Sequence, residues 1–278
     1  MSFSAPEVSS RLRPHGIIME GLYRSRSAGP RRSAWFAKEL MHDTDTYKQT
    51  ENIRLTHYRL LACDYDDTIA SQGHVAIETM LAMDRFRAAG RKVVLVTGRE
   101  LEDLRQACPR LTVFDRVVAE NGAVLHDPLT QETRNLATPP PSAFVEELTR
   151  QGVTPISTGR VIVATLRPQQ PIVARVIREL GLELDTILNR DSLMVLPRGV
   201  DKGTGLAAAL QELGEPADRT VAVGDAENDF GFLRLCGCTV AVANAVPTLK
   251  AHANVVTKAG QGKGVAELIA AILGEGSI

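Results

Sequence analysis

The chain predicts an α/β fold: a parallel sheet flanked by crossover helices, with a small α+β unit inserted into it. Three observations carry this expectation. From Arg59 onward, short apolar runs alternate with amphipathic stretches of helical period, the signature of repeated strand–helix–strand units. Four of those runs end in carboxylates, hydroxyls or a lysine, and parallel sheets bind ligands at the carboxyl ends of their strands. Between residues 123 and 196 the rhythm changes to two helices among several strands, which suggests an inserted unit.

Taken in order, Leu60–Cys63 reads as a short buried strand. Val75–Ala89 reads as a helix, with Ile77, Met80, Leu81, Met83 and Phe86 inward, Asp84 outward and Gly90 as its stop. Lys92–Val96 is the next strand, Glu100–Ala107 a helix halted before Pro109, and Arg116–Ala119 a third strand. Asn121-Gly122 signals a type I′ hairpin returning through Ala123–His126. Pro139–Pro141 leads into a helix reaching Arg150. A strand over 160–166, a helix over 171–180 and strands over 183–188 and 192–196 complete the insert. Afterwards come helices over 204–213, 228–235, 247–251 and 264–273, and strands over 220–223, 239–243 and 254–256. The expected domains are a leader over 1–57, a core made of 58–122 and 197–278, and the insert over 123–196.

With 278 residues, 44% hydrophobic and 23% charged, the chain has the composition of a globular protein, and no apolar run reaches membrane-spanning length. The net charge of −1 and an aromatic content of 4% argue against a nucleic-acid partner. The charge is uneven: residues 1–38 carry +5, which leaves −6 for the rest. That Ser-, Pro- and Arg-rich opening has no apolar period and reads as disordered. A transit peptide, a flexible tail, or a translation start at Met19 or Met41 are its alternative readings. Four unevenly spaced cysteines fit a reducing, cytoplasmic setting, and Cys236-Gly-Cys238 reads as structural rather than as half of a metal site.

The strand-end clusters point to chemistry. In Asp64-Tyr65-Asp66-Asp67-Thr68, residues two apart on extended chain face the same way, so Asp64 and Asp66 are expected at one spot. Two carboxylates that close favour a hard divalent cation, Mg²⁺ above all. Thr97-Gly98-Arg99 places a hydroxyl and a helix start where a phosphate can be cradled. Lys202 opens a later helix, and Gly224-Asp225-Ala226-Glu227-Asn228-Asp229 adds two carboxylates and an amide after another strand. Arg99 reads as a surface residue at a helix start, and Gly260–Gly264 lacks P-loop spacing, so it reads as helix entry. Arg160, Arg190 and His126 in the insert are the candidates for meeting an anionic or hydroxylated leaving group.

These four motifs, in this order, resemble those of the haloacid dehalogenase (HAD) superfamily of phosphatases: D-x-D-x-T, a Thr, a Lys and G-D-x-x-N-D. The Glu120-Asn121-Gly122-Ala123 turn, the position of the insert and the late Gly264-Val265-Ala266 resemble its Cof-type branch with a C2 cap, which includes sugar-phosphate, sucrose-phosphate and phosphoglycolate phosphatases. The resemblance covers 58–273 and implies a Rossmann-like core. It further implies Asp64 as nucleophile and Asp66 as general acid and base. Thr97, Gly98 and Lys202 would bind the phosphoryl group. Mg²⁺ would be held by Asp64, the Asp66 carbonyl and Asp225, with Asn228 and Asp229 in support. The implied partner is a small phosphorylated metabolite; a phosphotransferase or sugar phosphomutase, and a non-catalytic phosphate-binding module, are the rival readings. One departure stands out: Asp67 occupies the place of the family's usual glycine.

Overall fold

The computed structural model describes residues 55–278, so the leader readings for 1–54 lie outside the described residues. Leu55–His57, assigned to the leader by sequence, form a 3-10 turn whose Leu55 packs into the main core. Two short strands, β2 (Ala70–Ser71) and β3 (His74–Val75), form a separate ribbon. The main sheet has eight strands, in the order β14 (Val255–Val256), β13 (Cys238–Ala241), β12 (Thr220–Gly224), β1 (Leu60–Cys63), β4 (Lys92–Val96), β5 (Arg116–Ala119), β6 (Val124–His126) and β7 (Thr133–Asn135). Its centre is β1 (Leu60–Cys63), which is buried throughout because both faces are covered by helices. β1 pairs in parallel with β4 (Lys92–Val96) on one side and β12 (Thr220–Gly224) on the other. β5 (Arg116–Ala119), β13 (Cys238–Ala241) and β14 (Val255–Val256) continue the parallel order outward. The chain thus winds one way from β1 through β4 and β5, and the other way through β12 and β13. Between β1 and β12 lies the switch point where such sheets form a crevice.

Helix α1 (Ile77–Ala88) buries Thr79, Met80, Ala82, Met83 and Phe86. Ile77 and Leu81, expected inward, are 59% and 53% exposed. Ile77 and Leu81, one turn apart, lie on the opposite face from Thr79, Met83 and Phe86, which the helix turns inward, Thr79 against Gly262 of the last helix, Gln261–Leu273. Helix α2 (Leu101–Ala107) follows β4. The expected helix over 228–235 is a 3-10 turn, Glu227–Asp229, followed by α6 (Phe230–Leu233).

The insert departs from its expected limits. The hairpin at Asn121-Gly122 forms, but Ala119 pairs with Val124, so four residues turn where a type I′ hairpin uses two. Its returning strand β6 (Val124–His126) and the following β7 (Thr133–Asn135) extend the main sheet antiparallel instead of belonging to the insert. The separate unit runs from α3 (Ser142–Arg150) through β8 (Ser157–Thr158), β9 (Val163–Leu166), α4 (Gln170–Glu179), β10 (Leu184–Asn189) and β11 (Ser192–Pro197). Its four-stranded sheet has the order β10-β11-β9-β8.

Period-two alternation on β11 joins the two units. Leu193 and Val195 point into the small core with Phe144, Leu148, Val163, Val173 and Val176. Met194 and Leu196 point the other way, into the main core. This small sheet with two helices on one face, set over the sheet crevice, forms a cap.

Candidate active site

The switch point gathers the strand-end residues. Asp64 follows β1, Asp225 follows β12, and Lys202 begins α5 (Lys202–Leu213). Asp201 caps that helix: its side chain accepts from Thr204 N at 2.8 Å while Thr204 Oγ1 accepts from Asp201 N at 3.0 Å, the reciprocal capping box. This cap fixes where Lys202 emerges. The Glu120–Gly122 turn lies directly behind it, and Gly122, at φ +106°, is irreplaceable there because a Cβ would strike the Asp201 carbonyl.

Lys202 is 1% exposed, and its Nζ donates to Asp64 Oδ1 at 2.5 Å and to Asp229 Oδ1 at 2.6 Å. The other oxygen of Asp229 accepts from the backbone N–H of Asp225 at 2.9 Å and of Ala226 at 3.1 Å. Gly224 makes room for this clasp, since a Cβ there would lie 2.6 Å from Asp229 Oδ2. Thr68 Oγ1 donates to Asp225 Oδ1 at 3.4 Å, so the threonine of the first cluster orients the aspartate of the last.

Three buried carboxylates face one ammonium, and the imbalance appears in their proton affinities. Burial pushes Asp64 up to about 8, against the pull of Lys202. Burial and then the neighbouring Asp229 push Asp225 up to about 7. Lys202 is held charged, because Asp229 and Asp64 outweigh the cost of its burial. Carboxylate oxygens of Asp64, Asp225 and Asp229 lie within 4.8 Å of one another. An all-oxygen, anionic donor set with unmet negative charge fits a hard divalent cation. Asp229 is already committed to Lys202 and two amides, which leaves Asp64 and Asp225 as the side chains with free donor capacity.

Asp66 does not join that cluster. Both Asp64 and Asp66 line the same cavity, yet the Asp66 carboxylate turns to Arg99, which grips it through Nε and Nη2, both at 2.8 Å. Arg99 also donates to Asp103 Oδ2 at 2.7 Å and lies 5.2 Å over the Tyr65 ring. Its reading as a bare surface residue is therefore corrected: it is the fixed partner of Asp66. The signal was its place two residues after Thr97, at the end of the strand beside β1. Thr97 is buried, its hydroxyl accepting from Arg99 N at 3.1 Å, and Gly98 supplies the lining at that point.

The cavity, about 650 Å³, lies between core and cap. Asp64, Asp66, Lys202, Asp225 and Asn228 line its core side, and Ser157, Ile162, Asn189, Arg190, Ser192 and Met194 its cap side. Of the three insert residues singled out by sequence, Arg190 alone lines it. His126 is buried in β6, with Nδ1 2.9 Å from Thr133 Oγ1, and burial lowers its proton affinity. Arg160 points its Nε at Asn135 Oδ1 at 2.9 Å, away from the pocket. His126 was misplaced because β6 belongs to the main sheet, whereas Arg160 stays in the cap but turns to Asn135 of β7. Glu120, named from sequence only as part of a turn, ties cap to core: its buried carboxylate accepts from the N–H groups of Arg160, Val161 and Ile162 at 2.9, 2.8 and 2.9 Å.

Residues 61–151 and 186–269 match the family of haloacid dehalogenase-like hydrolases. The phosphoglycolate phosphatase of Methanothermobacter thermautotrophicus is 30% identical over 222 residues, covering 78% of this chain and 99% of its own. The crystal structure of Thermoplasma acidophilum 0175 superposes with a TM-score of 0.67 at 16% identity, covering 78% of this chain and 98% of that one. The subclass IIB sugar phosphatase BT4131 gives a TM-score of 0.58 at 19% identity, over 72% and 93%. Fold, strand-end motifs and family match agree, and the chain belongs to the haloacid dehalogenase-like hydrolases.

Proposed function

We propose that this protein is a Mg²⁺-dependent phosphatase that hydrolyses a small phosphorylated metabolite through an aspartyl-phosphate on Asp64. The observation that carries this reading is the convergence of Asp64, Lys202, Asp229 and Asp225 in one buried cluster opening into a cavity beneath the cap. Mg²⁺ would be held by Asp64, Asp225 and the main-chain carbonyl of Asp66; when bound it offsets the carboxylate charge that would otherwise repel a phosphate dianion.

An Asp64 oxygen attacks phosphorus, forming an O–P bond as the ester P–O bond breaks. Asp66 gives the departing alkoxide its proton. It then takes one from the water that attacks the aspartyl-phosphate, so phosphate leaves and Asp64 returns to a carboxylate. Lys202, already charged and fixed by Asp229, neutralises charge on the phosphoryl oxygens as it shifts, and Thr97 with the Gly98 backbone borders them. Asn228 and Asp229 keep Asp225 and Lys202 in place. The cap limits water at the site.

Relatedness to a phosphoglycolate phosphatase over 99% of that protein's length and 78% of this chain favours 2-phosphoglycolate as substrate. A sugar phosphate is the second reading, supported by the hydroxyl- and amide-bearing cap wall of Ser157, Asn189 and Ser192 and by a cavity of about 650 Å³, roomy for a two-carbon acid. Purified protein with Mg²⁺ should release phosphate from p-nitrophenyl phosphate and from one member of a panel of phosphoglycolate and sugar phosphates, preferring its own substrate by at least about tenfold in kcat/KM. Interconversion of hexose phosphates without net release would instead mark a mutase. Release from none of them would end the hydrolase reading.

A further inference from the structure

Besides the apolar side chains of β11 and the polar contacts of Ser157 with Glu100 and Arg160 with Asn135, two ties of opposite character join cap and core. At Glu120 the tie is a fully buried carboxylate held by three backbone N–H groups, an attachment too costly to break in ordinary motion. Across the cavity, the tip of the β10–β11 hairpin sends Arg190 to the carboxylate of Asp67, with Asp225 Oδ2 at 3.6 Å. This second tie is accessible: the side chains of Arg190 and Asp67 are 64% and 26% exposed. An ion pair that wet is weak, reversible and sensitive to salt.

Asp67 looks prepared for the role. It sits at φ +57°, a conformation that glycine adopts freely and that costs other residues energy, which is why the family's usual residue there is glycine. The core nevertheless holds it in position: Gln261 Nε2 donates to its carboxylate at 3.0 Å, and Asn244 Nδ2 to its carbonyl at 2.8 Å. Arg190 is itself held at φ +55° at the turn between β10 and β11. Two residues in disfavoured backbone, one on each unit, meet over the mouth of the same cavity.

We propose that Asp67 and Arg190 form a latch that holds the free edge of the cap against the core, with the Glu120 tie as its pivot. Asp67 then acts as a positioning residue: it sets how often the cavity opens to admit substrate and release product. Only that consequence rests on the phosphatase reading. The latch is a property of the resting protein and is measured without substrate, so a failed substrate panel leaves it standing.

Paired nitroxide labels at Glu78→Cys on α1 and Glu179→Cys on α4, in a Cys236→Ser background, read the core-to-cap distance by pulsed electron spin resonance. The wild-type pairing should give one dominant distance. Asp67→Asn and Arg190→Gln should each raise a second, longer population about three- to fivefold, as loss of a surface ion pair permits. The double variant should match either single one. Should a variant fail to fold, high salt on the wild-type pairing decides alone, by raising the same population. A distribution that neither substitution nor salt changes, or a double variant wider than both singles, overturns the latch.

Discussion

The guanidinium of Arg99 holds the carboxylate of Asp66 in a two-point grip, Nε and Nη2 each 2.8 Å from an oxygen, with Asp103 and the Tyr65 ring steadying the arginine from behind. A planar fork of this kind fixes direction as well as distance. It keeps the acid and base of the proposed reaction at the cavity wall, clear of the Lys202 cluster. Arg99→Gln should lower kcat by about tenfold, less than the roughly 10²–10⁴-fold that general acid catalysis contributes, because Asp66 itself remains. The loss should be larger for alkyl phosphates than for p-nitrophenyl phosphate, whose leaving group needs no proton; steady-state rates across a leaving-group series check this. Arg99→Lys, which loses the fork, should rescue little.

Lys202 is the buried cation between Asp64 and Asp229. Lys202→Met strands Asp64 and Asp229 without it, and should cost about 3–5 kcal/mol in urea unfolding. The same protein should show no detectable turnover.

The raised affinities of Asp64 and Asp225 give a signed pH dependence. Without metal the native protein keeps protons on these groups up to about 8 and about 7, whereas the unfolded chain releases them near pH ~4. The native state therefore binds more protons across that window, and its stability falls as pH rises through it. Thermal melts of metal-stripped protein should show Tm dropping between pH 5 and 8. Mg²⁺ should restore it most at the upper end, where proton competition is weakest.

Glu120→Ala leaves three N–H groups on the cap, two of them buried, without their acceptor. It should destabilise the protein by about 2–3 kcal/mol in denaturant and speed hydrogen exchange at residues 160–162, while the amides of β1 and β4 stay protected.

What the sequence disclosed follows from local physics. β1, β4 and β5 were legible to the residue because each is an unbroken apolar run between polar stops. Asp64, Lys202, Asp225 and Asp229 were legible because each sits at a fixed offset from such a run. β7 and β8 were not: Thr133–Asn135 and Ser157–Thr158 are polar, short and largely exposed, and form strands only because a neighbour offers an edge. The partnerships of Arg99 with Asp66, Glu120 with 160–162 and Asp67 with Arg190 were hidden for another reason. Each spans 33 or more residues of chain, and nothing in local pattern specifies which distant group a charge will meet.

A covalent phosphoryl group at Asp64 is the central step of the proposed reaction. Enzyme mixed with excess substrate and Mg²⁺, quenched during turnover and reduced with borohydride, should yield homoserine in place of aspartate at position 64 by peptide mass spectrometry, with none at Asp66 or Asp225. Turnover that proceeds while Asp64 stays unmodified, or survives in Asp64→Asn, would contradict it.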